Sequence, residues 1–369
     1  MTNNIPTSAV SSKPTSNSAR ASMPKHSHSG GSGAAPANQA DSHFGRKGLV
    51  QIALLGLLLL LPVAAYFFGH LYYVNLASRI TIIAMAAVGL NLAIGYGGMV
   101  SFGHAAYFGL GGYVAGISAY HAFDFTPFMT WPISIPGSDS LLVVWLAAAL
   151  LCALLALAIG AISLRTTGVY FIMITLAFAQ MIYYFANSWP TYGGEDGLPI
   201  YIRNSLPLVD TTNALTYFLI CFGGLVMAMA VTSRLMKSRF GAALTMARLN
   251  DVRLATAGVS PYPVRLVAFV ISAAITGLAG ALYADLNGFV SPSVLSWHFS
   301  GELMVIVILG GVGRLYGPLA GAILFVMMET FLGGITQYWQ LFLGLVLLGV
   351  VLFAKHGIMG WLAGRERNE

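Results

Sequence analysis

Charge is what this sequence has least of. Asp, Glu, Lys and Arg make up 8% of its 369 residues, whereas soluble domains carry about 25%. With 57% hydrophobic residues as well, the chain cannot cover a core with a solvated surface. Lipid is its solvent for most of its length, and it reads as a polytopic membrane protein. Cysteine is scarce too. Cys152 and Cys221 fall in apolar runs, where they read as small buried hydrophobes rather than a disulfide or a metal pair. The motifs of common chemistries are missing: no GxxxxGK[ST], no HExxH, no CxxC and no GxSxG. ATP binding through a P-loop and the corresponding hydrolase and metal chemistries are thereby excluded. No catalytic residue, metal site or cofactor is assigned.

What is present is a set of apolar runs with basic connectors. Residues 1–45 are mostly Ser, Pro, Asn, Gly and Ala, a composition that predicts a disordered tail. His26, His28 and His43 lie in that tail, which fixes no metal geometry. Residues 46–356 read as a transmembrane domain and 357–369 as a second tail. Ten spans are expected, at 49–68, 78–94, 99–121, 141–164, 168–187, 213–233, 264–286, 300–313, 317–331 and 338–354. The eighth and ninth are short and Gly-rich, so eight or nine spans is the alternative count. Arg46 and Lys47 precede the first run, which predicts both termini in the cytoplasm. Arg165, the cluster from Arg234 to Arg265, Arg314, Lys355, Arg365 and Arg367 then all fall inside, and only Arg79 and Arg203 run against the pattern. The formal net charge of +6 belongs mostly to these connectors and points to no nucleic-acid partner.

Residues 234–263 hold the densest basic cluster: Arg234, Lys237, Arg239, Arg248 and Arg253, with Asp251 the only acid. Residues 241–257 are rich in Ala, Leu, Met and Arg, good helix formers, and Gly258, Pro261 and Pro263 read as a stop. One short helix outside the bilayer is expected there, suited to touching a soluble partner. A solvated connector is the alternative.

A few polar residues interrupt the spans. Asn91, Tyr96, Ser101 and His104 bracket Gly95, Gly97 and Gly98, where a break between spans two and three is expected. Glu302 and Glu329 lie in or near spans eight and nine. A carboxylate at mid-bilayer costs about 2.5–3.5 kcal/mol on insertion scales, so such groups face the bundle interior or an interface. They line a polar path, or they tie helices together. Both readings stand for Asn91, Tyr96, Ser101, His104 and Glu302; for Glu329 the interhelix tie leads.

Several stretches in order carry a family resemblance. Gly89-Leu90-Asn91-Leu92 is followed by Gly95-Tyr96-Gly97-Gly98-Met99-Val100-Ser101-Phe102-Gly103-His104-Ala105. Leu164-Arg165, Thr175-Leu176-Ala177-Phe178 and Gly193-Gly194-Glu195-Asp196-Gly197-Leu198 come next, then 268–283 and 309–321. Over about residues 75–355 the chain resembles the LivM-type membrane subunit of bacterial branched-chain amino-acid ABC importers. The related LivH type has an Asn-Phe-Ala-His-Gly run where this chain has Ser101-Phe102-Gly103-His104-Ala105.

The resemblance implies an all-α permease of the inner membrane with a cytoplasmic coupling helix at 246–258. It implies a LivH-like permease subunit, two ATP-binding cassette subunits and a periplasmic substrate-binding protein as partners, besides membrane lipid. ATP would be bound by the partners, and this chain would not be an enzyme. The candidate path residues are then Asn91, Tyr96, Ser101, His104, Glu302 and Glu329. The coupling residues are Arg248, Asn250, Asp251 and Gly258. Met99, Gln180 and Ala255 depart from the family, which often has Gln, an acid and Glu there; the last leaves Arg248 and Asp251 as the charged contacts. Branched-chain or related amino acids are the implied solutes, with urea, short amides or other carboxylates as the nearest rivals. An ion-coupled secondary transporter is a different class, against which the external helix and the scarcity of deep charge pairs both argue.

Overall fold

The computed structural model describes residues 40–129, 135–137, 140–201, 203–206, 210–353 and 357–363. The expected N-terminal tail lies outside the described residues up to residue 39, and the C-terminal one from residue 364. Helices dominate: α1 Ala40–Phe67, α2 Leu71–Asn91, α3 His104–Phe123, α4 Leu141–Ser163, α5 Val169–Asn187, α6 Ala214–Met236, α7 Arg239–Leu249, α8 Asp251–Thr256, α9 Pro261–Asn287, α10 Trp297–Gly310, α11 Gly317–Gly333, α12 Trp339–Phe353 and α13 Gly357–Ala363. Each apolar run of the sequence coincides with one helix, from α1 to α6 and from α9 to α12. Two small antiparallel pairs are the strands present among the described residues. They join β1 Pro127–Met129 to β2 Ile135–Pro136, and β3 Leu198–Pro199 to β4 Phe289–Val290. The chain is an all-α polytopic membrane protein.

Among the described residues six helices are long and apolar enough to cross a membrane by themselves: α1, α2 with its terminal turn, α4, α5, α6 and α9. Their burial separates two roles. The most apolar window of α2 is 94% buried and that of α1 is 17% buried, so α2 is a core helix and α1 lies at the periphery. With α2, the core is built on α9, which packs on α2, α3 and α4. The contacts run through glycine. A Cβ on Gly111 would strike the carbonyl of Gly277, one on Gly280 the carbonyl of Phe108, and one on Gly277 the Cys152 thiol. Small residues let the backbones approach this closely where lipid supplies no hydrophobic drive between helices.

The eighth span is only partly helical. The chain from Val290 to Ser300 runs down the side of α3: Val290 lies against Gly116, Leu295 against Gly109, and Ser300 Oγ accepts from the Ala105 amide at 2.9 Å. Those positions on α3 are eleven residues apart, about 17 Å of helix. The 14-residue α10 therefore begins below the level at which α3 ends. Irregular backbone at such depth is tolerated only where protein buries it. Pro292 and Leu295 are buried here, and β4 pairs with β3 at the start of the descent.

The single external helix expected over 241–257 is two helices. Asn250 is extended, with φ −162° and ψ 109°, and ends α7. Its side-chain oxygen accepts from the Arg253 amide at 3.1 Å and caps α8. An Asn favours this cap geometry over a place inside a helix. Gly258 then has φ 83° and stops α8, as the sequence predicts.

Candidate functional site

Gly95 to Gly98 end α2 in a break. The helix widens into a π turn at Leu92–Tyr96, and Gly98 takes φ 67°. The third span, expected from Met99, becomes helical only at His104. Ser101 is therefore in the connecting strand of chain, buried, where its Oγ accepts from the Gly103 amide at 3.1 Å. Tyr96 is half-buried in the π turn.

Asn91, one residue before that turn, joins it to the α10–α11 connection. Its Oδ1 accepts from the Gly313 amide at 2.9 Å, and its Nδ2 donates to the Arg314 carbonyl at 3.0 Å. One carboxamide thus serves a donor and an acceptor of a turn that has no helix to satisfy it. Arg248 Nη1 donates to the Gly95 carbonyl from α7. The α2 break, the α10–α11 turn and the α7–α8 segment accordingly meet at one end of the bundle. The alternation of spans requires this, since all three connections follow even-numbered spans.

His104 lies between helices. Ser272 Oγ on α9 donates to the Gly89 carbonyl on α2 at 2.6 Å, and His104 Nε2 donates to that hydroxyl oxygen at 2.8 Å. The proton is therefore on Nε2. The ring is fully buried, edge-on to Tyr107 and Phe269. This places His104 among packed side chains of α2, α3 and α9, while Ser101 is buried just before α3. A cavity of about 320 Å³ lies elsewhere, between α3, α4 and α5, lined by Leu110, Tyr113, Ile117, Val144, Ile182 and Trp189 among others. None of the six path candidates lines it.

The coupling candidates divide. Asn250 and Gly258 shape the backbone, as described. Asp251 receives the Arg265 guanidinium at 2.8 Å, and the same Arg265 nitrogen donates to the Ala247 carbonyl at 2.8 Å. Arg248 and Asp251, expected as the charged contacts with the ATPase, also bond within the chain. Beside the exposed Arg248 and Arg253, the segment also exposes large apolar side chains: Leu249 is 78% exposed and Val252 71%.

At the opposite end, Arg203 is held by main chain. It donates to the carbonyls of Asp285 at 3.0 Å and Thr211 at 2.9 Å, and lies 4.4 Å from the Tyr217 ring centre. Asn204 Nδ2 donates to Asp285 Oδ1 at 2.6 Å. This explains a basic residue on the acidic side: Arg203 fastens a loop to the end of α9. His121 Nε2 contacts the Tyr192 hydroxyl at 2.9 Å in the same region, where desolvation raises the pKa of that hydroxyl. Glu329 on α11 accepts from Arg79 Nη2 on α2 at 2.7 Å, the interhelix tie expected of it. Glu302 is half-buried nearby.

The family described as "Branched-chain amino acid transport system / permease component" matches residues 72–351. The chain belongs to this permease family. The match begins at α2 and ends in α12, so it covers the whole core, the α2 break and the α7–α8 segment. Two curated permeases are similar along most of their length. Each is named "High-affinity branched-chain amino acid transport system permease protein LivM". The one from Escherichia coli K12 is 25% identical, covering 82% of this chain and 73% of that protein. The one from Salmonella typhimurium LT2 is 24% identical over the same shares. No solved structure matches. This LivM-like permease is a component of a transport system. Sequence reading missed the bonds made by Arg79, Arg265 and Ser272. Arg79 carried a usable signal, being a charge within an apolar run.

Proposed function

We propose that the chain is the permease subunit of an ATP-driven importer for branched-chain or related amino acids in the bacterial inner membrane. In this reading α7 and α8 face the cytoplasm and dock on an ATP-binding cassette subunit. A LivH-like permease completes the membrane part, a second ATPase completes the motor, and a periplasmic binding protein delivers the solute. ATP binds to the partners alone.

The observation that carries the reading is the α7–α8 segment. It lies between spans, its break is built by an Asn250 cap, and it presents Leu249 and Val252 to solvent. Two apolar side chains held on a bonded frame outside the spans suit a cleft on a soluble partner. Arg248 and Arg265 bond this frame to the α2 break and to α9. Ala247, at 1% exposed, is no cross-linking position; Leu249 and Asn250 are.

The test is a cysteine at Leu249 or Asn250 in the assembled transporter. Cross-linking to the ATPase subunit is expected, with a yield that changes with nucleotide. Absence of any cross-link at both positions, with uptake driven by an ion gradient and no ATP consumed, would overturn the reading.

A further inference from the structure

Three ionisable side chains inside the spans form a cluster at the level where α10 begins. Arg79 is eight residues into α2, about 12 Å of helix. Glu329 accepts from it at 2.7 Å. Glu302 is five residues into α10, the helix that packs on both α2 and α11, and its charge acts on both side chains. Glu302 has no hydrogen-bond or ion-pair partner among the described residues. The cluster therefore holds one guanidinium against two carboxylates, a formal sum of −1.

The cluster is not sealed between helices. The Arg79 and Glu329 side chains are 34% and 25% exposed. Tyr72 and Asn75 continue the Arg79 stripe toward the start of α2, at helical spacing, and both are exposed. His298, one turn before Glu302, is exposed as well. Hydrocarbon is a poor neighbour for such a surface, since one charge at mid-bilayer costs about 2.5–3.5 kcal/mol. A structural ion pair needs one anion. The second carboxylate, half-buried and without a hydrogen-bond or ion-pair partner among the described residues, is left for a cation from outside the chain.

We infer that this cluster receives a zwitterionic solute, with Glu302 accepting from the α-ammonium group and Arg79 turning part of its guanidinium from Glu329 to the solute carboxylate. The inference rests on the importer reading and narrows it. A neutral solute such as urea uses neither charge, and a simple carboxylate meets two like charges for one opposite. An amino acid matches both signs. The cluster lies at the end away from Arg248, which in the importer reading is the end that meets the binding protein.

The test uses the complete transporter in proteoliposomes with its binding protein and radiolabelled leucine. Glu302→Gln keeps the shape and removes the charge. Leucine uptake is expected to fall about tenfold while the subunits co-purify in wild-type ratio, and Glu302→Asp is expected to recover at least a third of it. Wild-type uptake by Glu302→Gln would overturn the inference and leave the importer reading intact. Loss of co-purification in Glu302→Gln, not restored by Glu302→Asp, would also overturn it, since the carboxylate would then act in assembly. Should the unaltered transporter hydrolyse ATP yet carry urea and no amino acid, the substrate reading itself fails, and the inference with it.

Discussion

Arg248 of α7 donates its guanidinium to the main-chain oxygen of Gly95, in the π turn that ends α2. The external segment is thus bonded to the break in the membrane core across 153 residues of sequence. Arg248→Ala removes a charge-assisted hydrogen bond, worth about 1.5–3 kcal/mol. The expected outcome is a lower melting temperature of the purified subunit and, on the proposed importer reading, ATP hydrolysis that is less coupled to uptake. Thermal denaturation and the ratio of solute moved to ATP consumed check the two parts.

Asn91 serves a donor and an acceptor at once, so its substitutions should grade. Asn91→Leu strands the Gly313 amide and the Arg314 carbonyl, at about 1–3 kcal/mol for each group left without a partner. Asn91→Asp keeps the acceptor for Gly313 but buries a carboxylate against the Arg314 carbonyl, and should cost more. Denaturant titration in detergent micelles checks the order: wild type, then Leu, then Asp.

The glycines of α9 are expected to differ sharply from a glycine in open space. Gly280→Ala drives a methyl into the Phe108 carbonyl, and overpacking of this kind costs about 1–3 kcal/mol or more. A methyl on Gly223, in α6, would meet nothing within 4 Å. Gly223→Ala should be neutral or stabilising by up to about 1 kcal/mol. Melting temperatures of the two variants, measured side by side, check the contrast.

Gly258 separates backbone strain from crowding. Its surroundings are open, and only its φ of 83° resists a side chain. Gly258→Val should cost about 1–2 kcal/mol through the left-handed conformation alone, with Gly258→Asn costing less. Asp251→Arg is a different change: it breaks the bond from Arg265, so it disturbs the segment as well as reversing a charge. Protease sensitivity of the α8–α9 connection checks all three variants.

The spans were legible because each is a continuous apolar run, and membrane helices need no partner to declare themselves. The break at Gly95–Gly98 was legible for a related reason, since four polar or glycine residues interrupt such a run. Gly258 announced its own conformation through the two prolines behind it. What stayed hidden depends on distance in sequence. Nothing local to Arg79 names Glu329, 250 residues away, and nothing near His104 names Ser272. The division of α7 from α8 was available in principle: Asn250 accepts from a backbone amide three residues on, a capping spacing, but the helix formers on both sides outweighed it. The descent of residues 290–300 along α3 was concealed because its apolar residues read like the start of an ordinary span.

α9 is fastened at both extremities. Arg265 in its second turn holds Asp251 and Ala247, and Asp285 at its far end is held by Asn204 and, through its carbonyl, by Arg203. The two anchors are about 30 Å apart along the axis, and its prolines are confined to the first turn. Between them the glycine contacts with α3 seat the two helices against each other. A displacement at one tip of such a helix is expected to reach the other as tilt. The loop that Arg203 fastens and the segment that Leu249 crowns would then move together, which paired spin labels at the two ends would read as correlated distance changes.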